Sequence, residues 1–532
     1  MTDDPPDDPT ATELEPPVDH DRAELRKLAR GGLGGLVASL VTGLGGLAFI
    51  TVATWGFPKA EVGIVFSLTS LFLIALAVVT LGSDIGVVRF VAIRLSETEA
   101  AKRRPTDVAA VVMATLAPVL VIAAVVTSLL WFLLPLIPWT DQYIRTAQVI
   151  SLFLPFAAVS NLVLAGTRGL GSVRPTIMVE SLLRQGLQPI LAIVAALVTD
   201  SSVWLALAWV FPYAVASIAG LVSFTRLCRS RGIPAWVSPR SGPVRDVWRE
   251  VWAFNAPRAL TQIAQIGIRR ADIPIVAVLA GPSAAAVYTA ASRFVAAGLQ
   301  AIKGVQQMVG PQIARLHAAG RPDQAGLALR TATTWNVLIA WPVYLTCAVI
   351  PATVLLIFGK DYADGAPVVV ILALGMLIGI AAGPVDIALL MLGRSVQSLR
   401  NNMAALITNL VLNLALIPVL GISGAALAWS ASILVSNALP TWQIRPILGN
   451  ASDRGTLLAA GLAVVSFALP PGAARLAGLD AAWQLLGASF LGGLVYLGLI
   501  WRFRRRLHVH ELTGVFRRRL KRRRLNADAA AG

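Results

Sequence analysis

Apolar stretches of roughly twenty residues recur along almost the whole chain, separated by short polar turns. A helix needs about 20 such residues to cross a ~30 Å hydrocarbon core. Fourteen stretches are read as spans: 33–55, 62–82, 108–134, 147–167, 177–198, 203–225, 251–280, 284–312, 331–358, 366–392, 401–420, 423–443, 456–478 and 483–501. Gly or Pro stands at many of the turns, as at Gly56, Pro58, Gly281, Pro282, Gly359 and Gly421. Backbone inside lipid must satisfy its own hydrogen bonds, so these runs predict an all-α polytopic membrane protein.

Composition agrees. Of 532 residues, 56% are hydrophobic and only 14% charged, where a soluble domain carries about 25% charge. The net charge of +17 has a topological cause. With the first segment placed in the cytoplasm and loops assigned alternately, almost every Lys and Arg between spans falls on the cytoplasmic side. The opposite side holds only Lys59, Arg145, Lys360 and Arg475. Such positive-inside bias predicts an even number of spans with both termini cytoplasmic. The basic residues are spread over many loops, which disfavours nucleic acid as a partner. Residues 1–21 are acidic and Pro-rich without an apolar core, a tail rather than a signal peptide. The basic segment from Arg502 to Leu525 repeats apolar residues at a spacing that suits contact with anionic lipid headgroups.

Segments about 222 residues apart echo one another, which is the mark of an internal repeat. Lys59–Val65 falls opposite Pro282–Tyr288, and Gly169-Leu170-Gly171 opposite Met391-Leu392-Gly393. The expected organisation is an N-tail and entry (1–30), an N-lobe of six spans (31–230), a cytoplasmic linker (231–250) and a C-lobe of six spans (251–450). Two further spans (451–501) and a basic tail (502–532) complete it. Repeats of this kind place substrate between the halves, near the midplane.

No catalytic or metal-binding pattern stands out. Gly359-Lys360 lacks the rest of a phosphate loop, and the Gly31–Gly35 run does not follow a strand. Cys228 and Cys347 and the four histidines form no metal-ligand spacing. The expectation is therefore a protein that is not an enzyme and needs no cofactor or metal.

What remains are charges inside the spans. A charge at mid-bilayer costs roughly 2.5–3.5 kcal/mol on insertion scales and usually faces a protein interior or a watery cavity. Arg258, Arg269, Arg270 and Arg293 lie in spans 251–280 and 284–312, with Lys303 nearby and Asp272 as the one acid. They predict a positively lined cavity that receives an anion. Arg258 and Arg269 are eleven residues apart and share a helix face to within about 20°, whereas Arg270 points about 100° away. Asn255, Gln262, Gln265 and Tyr288 supply a polar lining suited to a phosphate flanked by sugar hydroxyls. Glu180, Asp272 and Asp386 are candidate coupling or structural acids. Glu180 and Arg184 are spaced to pair, and Asp272 to neutralise Arg269.

Several segments resemble the polysaccharide exporter and oligosaccharide flippase branch of the multidrug/oligosaccharidyl-lipid/polysaccharide (MOP) flippase superfamily. They are Leu81–Gly86 with Arg89-Phe90, Ala256-Pro257-Arg258, Ala286–Arg293, Phe358–Tyr362, and Leu392-Gly393-Arg394 with Asn401-Asn402. Asn413-Leu414, Ile417-Pro418 and Gly421–Ala426 complete the pattern. The resemblance implies two MATE-like six-helix lobes around a central cavity. It also implies alternating-access transfer of a polyprenyl-pyrophosphate-linked oligosaccharide from the inner to the outer leaflet of the plasma membrane, for cell-surface polysaccharide. Implied partners are that lipid-linked glycan, membrane lipids, and a glycan polymerase or glycosyltransferases. A cation-coupled multidrug exporter of the same fold is the first alternative. A membrane glycan polymerase or glycosyltransferase is the second, disfavoured by short loops.

Overall fold

The computed structural model describes residues 41–99, 106–238, 242–479 and 481–507, and every regular element among them is helical. The N-terminal half contains α1 (Val41–Gly56), α2 (Lys59–Thr80), α3 (Ser83–Glu99), α4 (Thr106–Leu133), α5 (Asp141–Leu152) and α6 (Leu154–Gly169). A π-helical stretch, Thr176–Arg184, runs into α7 (Gln185–Val198), and α8 (Ser202–Ser230) closes the half. The second half contains α9 (Gly242–Arg270), α10 (Asp272–Leu279), α11 (Pro282–Ala318), α12 (Pro322–Val349) and the short α13 (Pro351–Leu355). It continues through α14 (Ala366–Ala381), α15 (Val385–Met391), α16 (Ser395–Leu420) and α17 (Ile422–Leu448). Finally α18 (Arg454–Phe467), α19 (Leu469–Leu476) and α20 (Ala482–Phe503) pack on the outside of α12 through α18. Tyr496 donates to the Leu338 carbonyl (2.9 Å) and Thr334 bonds Thr456 (3.1 Å), tying this appendage to the second lobe.

Among the described residues, eleven helical segments are long and apolar enough to cross a membrane, and α1 is a shorter apolar helix. The stretches expected to span at 251–280 and 284–312 fall on α9 with α10 and on α11. Residues 242–250, placed in a linker by the sequence, are helical and form the first turns of α9. Helix α3 occupies what reads as a loop, because its apolar and charged residues are too mixed for a span. The first 40 residues and those beyond 507 lie outside the described residues, and with them most of the expected N- and C-tails.

The two lobes meet along α2, which packs against α9, α10 and α11. A close approach joins the N-terminal turns of α2 and α11, two segments that the sequence reading sets opposite one another. A Cβ on Gly63 would collide with the Pro282 carbonyl, so only glycine permits this backbone contact. At the same end Trp55 Nε1 donates to the Ile357 carbonyl (2.9 Å), and the Lys59 ammonium lies 5.7 Å from the Tyr362 ring centre.

At the opposite end, the first half of α9 is bound to the N-lobe. Buried Arg94 on α3 pairs with Glu97 (2.8 Å) and with Glu250 on α9. Trp252 donates to the Ala114 carbonyl of α4 (3.1 Å), and Asn255 to Ser83 Oγ (3.3 Å). The Arg89 guanidinium stacks over Phe254 at 4.7 Å. Helix α9 therefore straps one lobe to the other.

Candidate functional site

The strap ends at Arg269-Arg270-Ala271-Asp272. Pro274 has no N–H for the Arg270 carbonyl, which weakens the helix there. Asp272 takes over as an acidic first residue of α10, its Oδ1 accepting the Ile273 N–H (2.9 Å). Its other oxygen accepts the Tyr288 hydroxyl (2.5 Å), which fixes α11 against α10. Two adjacent arginines thus stand beside a buried carboxylate, in the last third of the α9–α10 stretch.

A cavity of about 450 Å³ opens there between the lobes. Its walls differ in chemistry. The C-lobe side carries Gln262, Arg269 and Arg270 of α9, Asp272 of α10, and Tyr288, Ser292 and Arg293 of α11, with Leu372 and Trp429 behind them. The N-lobe side is mostly apolar: Leu73, Leu76, Ala77 and Thr80 of α2, and Asn161 of α6. The α2 residues belong to its C-terminal half, so the cavity lies on the far side of the Gly63–Pro282 contact.

The three cavity arginines form no ion pair among the described residues. Arg269 Nε donates to the Gln265 carbonyl (3.0 Å), while Arg293 Nε and Gln262 Oε1 are buried without a hydrogen-bond partner. Asp272 is the one carboxylate among the lining residues, and its hydrogen bonds go to Tyr288 and Ile273 rather than to Arg269. A buried N–H left unpaired costs roughly 1–3 kcal/mol. An anion in the cavity would satisfy it.

The sequence-selected residues separate into groups. Arg269, Arg270, Arg293, Gln262, Tyr288 and Asp272 meet in the cavity. Arg258 is exposed and does not line it. It shares a helix face with Arg269 but lies about 16 Å along the axis, at 1.5 Å per residue. Arg270, about 100° round the helix from Arg269, also lines the cavity. Asn255 is spent on the contact with Ser83, and Gln265 contributes a carbonyl rather than a lining side chain. The Lys303 side chain lies outside the described residues. Asp386 accepts from Ser398 Oγ (2.6 Å), away from the cavity. Glu180 pairs with buried Arg184 (2.5 Å), whose guanidinium also stacks on Tyr213 at 4.5 Å.

Sequence reasoning passed over Asn161 and Trp429. Asn161 carried a usable signal, being an amide deep in the apolar run 147–167, whose other amide, Gln148, stands at its edge. Trp429 carried none, since an aromatic residue inside a span is ordinary.

A family model described as MatE matches residues 257–421, from the second half of α9 to the turn after α16. No curated protein matches the sequence. Among solved structures, the lipid II flippase MurJ in an inward closed conformation is similar at 12% identity, covering 88% of this chain and 98% of that one, with a TM-score of 0.67. An inward-facing multidrug resistance MATE transporter of the MOP superfamily shares 14% identity over 78% of this chain and 98% of its own, with a TM-score of 0.59. A MOP superfamily transporter from Pyrococcus furiosus, described as having a binding pocket of reverse polarity, shares 16% identity over 79% and 95%, with a TM-score of 0.54. The fold is that of the MATE and MurJ proteins: a multi-pass bundle of two lobes about a central cavity. By their descriptions, the proteins that share it are transporters and flippases.

Proposed function

We propose that this protein is a flippase for a polyprenyl-pyrophosphate-linked oligosaccharide, carrying it from the inner to the outer leaflet by alternating access. The observation that supports this reading is the set of Arg269, Arg270 and Arg293 around an interlobe cavity, with no carboxylate among the described residues paired to them. Guanidinium groups match phosphate oxygens in charge and geometry. At about 450 Å³ the cavity is of small-molecule size, within the usual ~300–1,000 Å³. It would hold the diphosphate and adjoining sugar, with the rest of the glycan extending outward and the lipid tail left in the bilayer. Gln262, Ser292 and Asn161 supply amide and hydroxyl partners for sugar hydroxyls. Rocking of the lobes would part the Gly63–Pro282 contact and present the glycan on the other face. An inside-negative potential adds about 2.3 kcal/mol per charge per 100 mV to outward movement of an anion.

A cation-coupled drug exporter shares the fold, but a cationic drug would meet three guanidinium groups and one carboxylate already engaged by Tyr288. The deciding measurement is transfer of a fluorescent lipid-linked oligosaccharide across proteoliposomes. Wild type should move it, and Arg269→Ala with Arg293→Ala should not. Failure of wild type to move any diphosphate-linked lipid, with efflux of cationic dyes instead, would overturn the reading.

A further inference from the structure

After α20 the chain turns back into the fold. Arg506 N–H and Leu507 N–H both bond the Phe503 carbonyl (2.9 and 3.2 Å), and the Leu507 side chain is fully buried. The Arg506 backbone rests beside Gly455 at the start of α18. Between the lipid-facing α20 and this anchor, Arg502, Arg504, Arg505 and Arg506 are all exposed. Two are held by ring faces: Arg504 over Trp501 at 5.1 Å and Arg502 over Phe503 at 5.7 Å. Among the described residues none of the four forms an ion pair with a carboxylate. Among the described residues, Trp501 to Arg506 line an open concavity of about 420 Å³.

A topology signal requires only positive charge near a span end. Here the charge is also built into a shape, by a buried anchor and two cation–π contacts. Trp501, 69% exposed at the end of a membrane-crossing helix, has the amphipathic ring that settles at headgroup depth. A phosphate diester on a diacyl tail would meet the guanidinium groups while its chains lie along the apolar face of α20. Exposed Leu494, Leu497 and Trp501 lie on that helix.

We propose that the Trp501–Arg506 turn is a receptor for the headgroup of an anionic phospholipid in the leaflet where α20 ends, distinct from the interlobe cavity. The test titrates phosphatidylglycerol and phosphatidylcholine with matched chains onto delipidated full-length protein, read by native mass spectrometry. Wild type should prefer phosphatidylglycerol. Arg502→Gln, Arg504→Gln, Arg505→Gln and Arg506→Gln together should lower that preference by roughly tenfold or more, since a basic residue near an anionic surface contributes about 1 kcal/mol. Lys at the same four positions should keep most of it, which separates lost charge from lost folding. Arg226→Gln with Arg229→Gln, and Arg315→Gln with Arg321→Gln, exposed cations at other helix ends, should leave it unchanged. Inorganic phosphate should not displace the lipid. Equal binding of both lipids, persistence of the preference in the Gln variant, its loss in either control, or displacement by inorganic phosphate would each overturn the assignment.

Discussion

The Tyr288 hydroxyl donates to Asp272 Oδ2 over 2.5 Å, so the one carboxylate lining the cavity is turned toward α11 rather than toward the arginines. It acts as a joint between α10 and α11. Asp272→Ala should therefore destabilise the protein by about 1–3 kcal/mol, because the buried Tyr288 hydroxyl loses its partner. Tyr288→Phe should cost less, and adding it to Asp272→Ala should cost almost nothing further. Thermal unfolding of the solubilised variants checks this. Full additivity would show that the two side chains act separately.

The arginines should separate by position rather than by charge. Arg258→Gln, outside the cavity, should retain near-wild-type transfer. Arg293→Gln should reduce it by roughly tenfold or more, as expected for loss of a charge-assisted bond of about 1.5–3 kcal/mol. Transfer rates at equal protein in proteoliposomes decide it, and equal loss in both variants would contradict the placement of the site.

Glu180 and Arg184 form a pair inside the N-lobe, with the guanidinium packed on Tyr213. Glu180→Gln strands a buried cation and should cost about 3–5 kcal/mol, less to the extent that Glu180 reaches solvent. Replacing the pair together, Glu180→Gln with Arg184→Met, should recover much of that stability. Unfolding midpoints of the single and double variants provide the comparison. A double variant as unstable as the single one would mean that the pair's shape, not its charge balance, is needed.

Gly63→Val should hinder closure at the Pro282 end, since even a Cβ at this position meets the Pro282 carbonyl. Transfer should fall. A short thiol-reactive linker should bridge Trp55→Cys and Ile357→Cys less readily in the Val background than with Gly63 intact. Unchanged bridging would mean that the chain accommodates the side chain without parting the lobes.

The helical bundle and its spans are readable from the chain because burying a polar run in lipid is expensive and leaves a plain pattern. The cavity is half readable for the same reason: Arg269, Arg293, Gln262 and Tyr288 are conspicuous inside apolar runs. Other features depend on events that periodicity does not record. Arg270 lines the cavity although it lies in α9 about 100° round from Arg269, so a reading that admits one helix face to the cavity misplaces it. Arg258 has the right face and the wrong depth. The docking of Glu250, Trp252 and Asn255 onto the N-lobe joins residues more than a hundred positions apart. No local pattern announces that contact. Helix α3 was hidden because its mixed composition resembles a loop.

All three cavity guanidinium groups sit on one half of the molecule, facing leucine and alanine on the other. A captured anion would therefore be a passenger of the C-lobe. The opposing wall can slide past it without breaking a bond to the charged group, giving up at most the contact of Asn161 with a sugar. Tight capture and easy movement, which compete when a ligand is gripped from both sides, are separated here by the division of labour between the two walls.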